Sequence, residues 1–204
     1  MNVSAVLLAG GQSLRMGHDK ATVTFRGKPL WQIQLNTLQN LRPHEIFISA
    51  RSATSWRPPE LQFVPDEPPS RGPLSGIAAA LGHIATGHLL VLGIDMPLMT
   101  GEYLRSLCDQ IESGRGVLPM IVEQAEPLAA IYPQNAHIDF LAALSGTEFS
   151  LQTLTKNLTE SGKLRAVPVI KKDEELFRSF NQPADLNARV SQTGIGPLCA
   201  TILM

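Results

Sequence analysis

Cysteine is scarce in this chain of 204 residues. Cys108 and Cys199 are too few and too far apart for a disulfide framework or a short-spaced metal pair. That usage fits a reducing compartment, and the cytoplasm is the expected location. An excess of charge is missing too. Lys and Arg number 17 against 18 Asp and Glu, which leaves no overall field to attract nucleic acid or an anionic membrane. Any phosphate chemistry must therefore be local. No apolar run reaches membrane-spanning length. The opening MNVSAVLLAGG has no basic segment before its short apolar stretch, so it reads as a buried strand rather than a leader. Internal repeats and low-complexity tracts are absent. Hydrophobic residues at 44%, charged residues at 17% and a mean hydropathy near zero describe a globular chain rather than a disordered one.

What the sequence does contain is alternation. Apolar runs of strand length occur at 5–9, 45–50, 61–64, 88–93, 116–122, 128–132 and 165–170. Helix-like segments at 30–41, 73–84, 101–113, 136–145 and 150–161 separate most of them. Strands that are continuously apolar and alternate with helices predict a mainly parallel sheet covered on both faces, a three-layer α/β/α domain of Rossmann-like type. One domain over 1–190 followed by a tail of unassigned role at 191–204 is the expected organisation. In such sheets ligands gather beyond the carboxyl ends of the strands, so the loops after Ala9, Val64 and Gly93 become the candidate site.

The first of these loops is the most informative. Gly10 and Gly11 follow the first strand directly, where a missing side chain lets backbone N–H groups approach an anion. Arg15 and Lys20 add a fork-shaped and a mobile cation, as a polyphosphate requires. Two familiar phosphate loops do not fit. Gly17 is followed by His18 and Asp19 rather than Lys-Ser/Thr, and the adjacency of Gly10 and Gly11 breaks the dinucleotide-binding pattern. Without its flanks, the pair of glycines is compatible with an ordinary turn bearing solvated charges.

The full string LAGGQSLRMGHDK resembles the signature loop of nucleotidyltransferases that activate sugars and cofactors. GKPLW (27–31), RGPLSGI (71–77), GIDMPLM (93–99) and FRSFNQPADL (177–186) follow in the order found in the molybdenum cofactor guanylyltransferases, the branch this chain most resembles. That resemblance runs from about Ser4 to Arg189. It implies a transfer of GMP from GTP to the phosphate of molybdopterin with release of pyrophosphate, and a requirement for Mg²⁺. It further implies an accessory GTP-binding protein and molybdoenzyme chaperones as partners, with no role for nucleic acid or membrane.

The same resemblance assigns roles. Arg15 and Lys20 would hold the triphosphate, and Asp95 would ligate Mg²⁺ at the end of an apolar strand. A helix cap is the alternative for Asp95, although Thr100 before GEYLRSL is itself a good N-cap. Leu8, Ala9, Gly10 and Gly11 would line the base pocket through their backbones, the second glycine of LAGG going with guanine and leaving room for a purine edge. Asp66 would accept N–H bonds from guanine or contact the ribose, and Ser49 stands where relatives often carry Asn. Gly72 and Pro73 would start a helix tightly against the nucleotide, with Gly76 one turn inside it and Arg71 adding charge. Asn181 would assist the metal or the acceptor phosphate. The acceptor would attack in line, so no protein nucleophile is expected, and none of the five histidines is assigned to a metal or a base.

One segment departs from the family pattern. EQAEPLAAIYP (123–133) stands where, by the resemblance, the family presents residues to the acceptor; it keeps Pro127 and Tyr132 but places Glu126 where relatives usually have a small or basic residue. The residues alone leave other readings open: a nucleotidyltransferase using CTP or another phosphorylated acceptor, or a nucleotide-binding homologue without catalysis.

Overall fold

The computed structural model describes residues 2–10, 19–66, 68 and 70–180; the tail at 191–204 lies outside them. In chain order the elements are β1 (Ser4–Leu8), a 3₁₀ turn (Lys20–Thr22), a hairpin of β2 (Thr24–Phe25) and β3 (Lys28–Pro29), α1 (Leu30–Leu41), β4 (Ile46–Ala50) and β5 (Gln62–Pro65). They continue with α2 (Pro73–Leu81), β6 (His88–Gly93), α3 (Gly101–Cys108), β7 (Gly116–Ile121), β8 (Gln124–Ala125), a 3₁₀ turn (Pro127–Ala129) and β9 (Ile131–Pro133). After β9 come α4 (His137–Ser145), α5 (Leu151–Glu160) and β10 (Leu164–Pro168).

Among the described residues the main sheet runs β10-β7-β9-β6-β1-β4-β5, with β8 folded back on β7. The pairs β1–β4, β1–β6, β4–β5 and β7–β10 are parallel, while β9 runs antiparallel to both β6 and β7. Alternation of side chains across the strands divides the interior into two cores. Ala5, Leu7, Ile48, Leu90 and Leu92 face α1 and α3. Val6, Leu8, Phe47, Leu89 and Val91 face the layer containing α2, α4 and α5. The result is the expected three-layer architecture.

Local sequence explains the helices that frame the strand ends. In α1, Leu30, Gln34, Leu35, Leu38 and Leu41 are buried at three- and four-residue spacing, and Arg42 ends the helix with a left-handed φ of 54°. Gly72 enters α2 with φ 67°, a conformation open to glycine, and Pro73 occupies the first helical position.

Two helices are shorter than their apolar patterns predict. α2 stops at Leu81 and α3 at Cys108, because Gly82 and Asp109 already close the last turns with backbone bonds to Ala78 and Arg105. The stretch 128–132, read as a single strand, splits into the 3₁₀ turn at Pro127–Ala129 and the strand Ile131–Pro133. Pro127 presets the turn, and Ala130 restarts extended backbone. No helix among the described residues is long and apolar enough to cross a membrane.

Gly116 opens β7 against this antiparallel insertion. A β-carbon there would overlap the backbone carbonyl of Ile131, and the Leu164 side chain lies 2.9 Å from the same point. Gly116→Ala is expected to cost roughly 1–3 kcal/mol and to lower Tm by about 3–10 °C. A thermal melt matching the wild type would show that β7 and β9 are not held this closely.

Candidate functional site

Register brings the candidate loops to one edge of the sheet. Leu8 stands level with Ser49 on β4 and with Gly93 on β6, and Ser49 is level with Val64 on β5. The chain runs from β1 outward to β4 and β5, then returns to β6 on the other side of β1. A crevice opens where the winding direction reverses, and the segments after β1, β4, β5 and β6 line it. The Leu8 carbonyl accepts a bond from Ile94 at 3.1 Å, and the Ala9 N–H donates to Ser49 at 2.8 Å. Those two sheet bonds carry the ladder right to the rim, and Gly10 is the first residue beyond it.

On the β6 side, Asp95 faces Lys20, with Nζ 3.3 Å from Oδ2 and both side chains more than four-fifths buried. Asp95 is not used as a helix cap: the Thr100 side chain accepts from the Tyr103 N–H at 3.2 Å and caps α3, as its sequence position predicts. The Asp95 carbonyl accepts from Phe180 at 2.8 Å, which anchors the segment after residue 177 to the strand end. Behind it, the wholly buried Gln34 of α1 donates to the Gly93 carbonyl at 3.3 Å. This residue was missed as a site component. Its signal was a polar side chain on the leucine face of an amphipathic helix.

On the β5 side, Asp66 is held by two serines. Ser49 Oγ donates to Oδ1 at 3.1 Å and Ser70 Oγ to Oδ2 at 3.0 Å. Ser70 in turn accepts from Arg51 Nε at 3.1 Å. Ser70 and Arg51 carry no motif signal in the sequence, and chain proximity alone would not have paired them with Asp66. A methyl on Gly10 would stand 3.3 Å from Ala50 Cα and 3.4 Å from Asp66 Oδ2. Gly10 thus sits against Ala50 and Asp66, and a side chain there would press on that carboxylate. Gly76 is more tightly confined: a β-carbon would lie 2.9 Å from Leu8 Cδ2, 3.0 Å from Ser49 Oγ and 3.3 Å from Asp66 Oδ1. The small residue lets α2 approach both members of the Ser49–Asp66 bond.

The rest of the motif region is set around these two carboxylates. Asp19 caps the turn leading to Lys20, with Oδ1 accepting from Ala21 N–H at 3.0 Å and Oδ2 from Trp56 Nε1 at 2.8 Å. Trp56 stacks on Trp31 with ring centroids 5.5 Å apart. At the start of α2, the Ser75 hydroxyl accepts from the Arg71 N–H at 2.8 Å, and the Arg71 guanidinium lies 4.3 Å from the centre of the Phe149 ring. Leu8, Ala9, Gly10, Lys20, Ser49, Asp66, Gly72, Pro73 and Asp95 therefore belong to one strand-end crevice and its rim. Gly11, Arg15 and Asn181 lie outside the described residues.

Among the described residues no three His, Cys, Asp or Glu side chains cluster to form a metal cage. Asp95 offers a single carboxylate, already facing a cation. That donor set fits Mg²⁺, which takes few protein ligands and completes its octahedron with phosphate oxygens and water.

Across β6, Glu126 leads into the 3₁₀ turn at Pro127–Ala129, and burial raises its carboxyl pKa to about 7. Nearby Tyr103 is pushed up to about 12, by burial first and then by the negative charges of Asp173 and Glu126. A folded-state glutamate that titrates near 7, against 4.5 ordinarily, binds its proton more tightly than the unfolded chain does. Its contribution to stability is full below the unfolded value and is lost as pH rises through about 7. Glu126→Gln should therefore match the wild-type Tm near pH 4 and exceed it increasingly from about pH 5 to pH 8. A Tm difference that does not change with pH would remove the buried carboxylate as its cause.

Comparison with known proteins agrees with this geometry. Residues 5–169 match the family model described as the MobA-like NTP transferase domain. A probable molybdenum cofactor guanylyltransferase of Opitutus terrae is 32% identical, the match covering 90% of this chain and 92% of the relative. One from Pelotomaculum thermopropionicum is also 32% identical, over 95% and 97%. The crystal structure of molybdopterin-guanine dinucleotide biosynthesis protein A from Archaeoglobus fulgidus superposes with a TM-score of 0.74 at 25% identity, covering 90% of this chain and 95% of that one. A 4-diphosphocytidyl-2C-methyl-D-erythritol synthase from Anaerococcus prevotii shares the fold, with a TM-score of 0.67 at 11% identity and coverage of 91% and 94%. With Lys20, Asp66 and Asp95 set around the end of β1 and this family model spanning most of its length, the chain belongs to the MobA-like NTP transferase family and is a nucleotidyltransferase.

Proposed function

We propose that the protein transfers the guanylyl group of GTP to the phosphate of molybdopterin, giving molybdopterin guanine dinucleotide and pyrophosphate. The observation that carries this reading is the placement of the Lys20–Asp95 pair and the serine-held Asp66 on opposite sides of the β1 strand end. The names of the relatives, probable molybdenum cofactor guanylyltransferases, support the choice of nucleotide and acceptor.

In this reading Asp66 is the base-side group. Ser49 and Ser70 each donate to one of its oxygens, which orients the carboxylate and leaves lone pairs able to accept the N–H and amino donors of guanine. Gly10 and Gly76 keep methyl groups away from it. The N–H groups at the start of α2, opened by Gly72 and Pro73, favour a negatively charged neighbour.

Lys20 would bind the triphosphate, and its contact with Asp95 shows that the ammonium already reaches the strand end where the α-phosphate would lie. An oxygen of the acceptor phosphate attacks the α-phosphorus, a new phosphorus–oxygen bond forms, and the bond to the bridging oxygen breaks as pyrophosphate leaves with the electron pair. Catalysis then consists of positioning and charge stabilisation. Asp95 would hold Mg²⁺, whose charge when bound offsets that of the phosphates. For Arg15, Gly11 and Asn181 the roles implied by the motif resemblance are retained. Direct hand-over of a labile product to molybdoenzyme chaperones, with an accessory GTP-binding protein upstream, completes the proposal.

Thermal stabilisation by GTP, CTP, ATP and UTP, each with and without Mg²⁺, tests the nucleotide assignment. The expected result is a Mg²⁺-dependent rise in Tm that is largest for GTP; a shift largest for CTP would replace the guanylyl reading with a cytidylyl one. Asp95→Asn should lower kcat by about 10²–10³-fold or more with an unchanged circular dichroism spectrum, and full activity would remove Asp95 from the chemistry. Asp66→Asn should reduce the preference for GTP over CTP by about tenfold or more, and an unaltered preference would place guanine elsewhere.

A further inference from the structure

The three residues that carry the chain out of β6 are each tied to a different part of the fold. Ile94 donates to the Leu8 carbonyl at 3.1 Å, the Asp95 carbonyl accepts from Phe180 at 2.8 Å, and the Gly93 carbonyl accepts from Gln34 Nε2 at 3.3 Å. The first two are backbone bonds. The third comes from a side chain of α1 and stands in for a missing rung of the sheet. Val91 donates to Ala130 at 2.9 Å, and Gly93, two residues on, turns its carbonyl to the same side of the strand. By that point β9 has given way to the 3₁₀ turn at Pro127–Ala129, so its pairing with β6 has ended.

Gln34 makes this bond from an unfavourable place. It is wholly buried, on the stripe that Leu30, Leu35, Leu38 and Leu41 form along α1. Its Oε1 is buried too and has no hydrogen-bond partner among the described residues. A buried amide satisfied at one end loses the hydration of the other without return. The side chain therefore closes one backbone carbonyl and leaves one oxygen of its own open. The balance for the fold is small, and what the bond fixes is the direction of the Gly93 peptide.

Direction matters there. The point where a Gly93 β-carbon would stand lies 3.0 Å from Asp95 Oδ1 and 3.3 Å from Leu128 Cβ. The carboxylate thus lies back over the residue that Gln34 holds, while its Oδ2 faces Lys20 Nζ at 3.3 Å. A turn of the Gly93 peptide would carry the carboxylate with it.

We infer that Gln34 is a positioning residue for the metal carboxylate: its bond to the Gly93 carbonyl sets the angle at which the chain leaves β6, and with it the place of Asp95. The inference rests on the proposed role of Asp95 in holding Mg²⁺. Removing an outer group that orients a metal ligand changes metal affinity or rate by about 10–100-fold.

The test is Gln34→Met in the full chain, with Leu38→Met on the same stripe as a control for packing. Three quantities are read: the Tm without ligands, the affinity for Mn²⁺ in the presence of GTP by electron paramagnetic resonance, and kcat for guanylyl transfer to molybdopterin. Gln34→Met removes one unpaired oxygen and exposes another, so its Tm should stay within about 3 °C of the wild type. Its Mn²⁺ affinity and its kcat should each fall by about 10–100-fold. Leu38→Met should keep both at wild-type values. Unchanged Mn²⁺ affinity in Gln34→Met, an equal loss in Leu38→Met, or a fall in Tm of more than about 10 °C in Gln34→Met would each overturn the assignment, the last by making the amide a support of the fold. Failure of the wild type to bind Mn²⁺ with GTP would overturn it as well. Failure of the wild type to act on molybdopterin would instead count against the guanylyltransferase reading, while the Mn²⁺ comparison would still decide the role of Gln34.

Discussion

Everything at the site depends on β1 being paired in parallel on both sides. Because Leu8 is level with Ser49 and with Gly93, three strands end at one height, and their continuations emerge together. A one-residue slip of either neighbour would turn the side chains of that strand over, exchanging the two cores and aiming Ser49 away from Asp66. The burial of all five β1 residues makes such a slip expensive. The apolar core therefore does more than hold the chain folded. It sets the position of polar groups that lie just outside it.

The two sides of the crevice solve different electrostatic problems. Asp95 meets a mobile ammonium, a partner that can be exchanged for metal or phosphate without breaking the backbone around it. Asp66 meets two short hydroxyls carried by fixed elements, which orient the carboxylate without neutralising it. A negatively charged triphosphate needs mobile compensation, whereas a planar base edge needs a stationary acceptor. Glycines at 10 and 76 serve the second need by letting backbone approach the carboxylate closely, and Gly93 lets a neighbouring turn do the same beside Asp95. Gln34, though buried in the leucine face of α1, belongs to the same design because it reaches the carbonyl of the residue from which the Asp95 segment departs.

Much of this was legible before any coordinates. Continuous apolar runs gave the parallel strands, and the position of Asp95 after one of them gave its place at the sheet edge, since strand ends collect ligands in this architecture. Thr100 identified itself as a cap and so released Asp95 from that role. The antiparallel insertion was harder to read. Apolar residues at 128–132 satisfy a strand and a tight turn equally well, and only the packing of Leu128 against Gly93 decides between them. Ser70 and Arg51 were invisible because their relation to Asp66 depends on where a proline-rich loop folds back, which no local period encodes. Gly10 carries a second constraint that its motif does not announce: a side chain there would press on Ala50 and on the Asp66 carboxylate.

The tryptophan pair has a consequence of a different kind. The chain contains two tryptophans in all, and they are stacked on each other, with the Trp56 indole N–H bound to Asp19, the residue that precedes Lys20. Every indole in the molecule is thus an optical gauge mounted at one place. Any rearrangement of the Asp19–Lys20 corner that altered the indole hydrogen bond or the ring overlap would register directly in the indole emission, with no label attached.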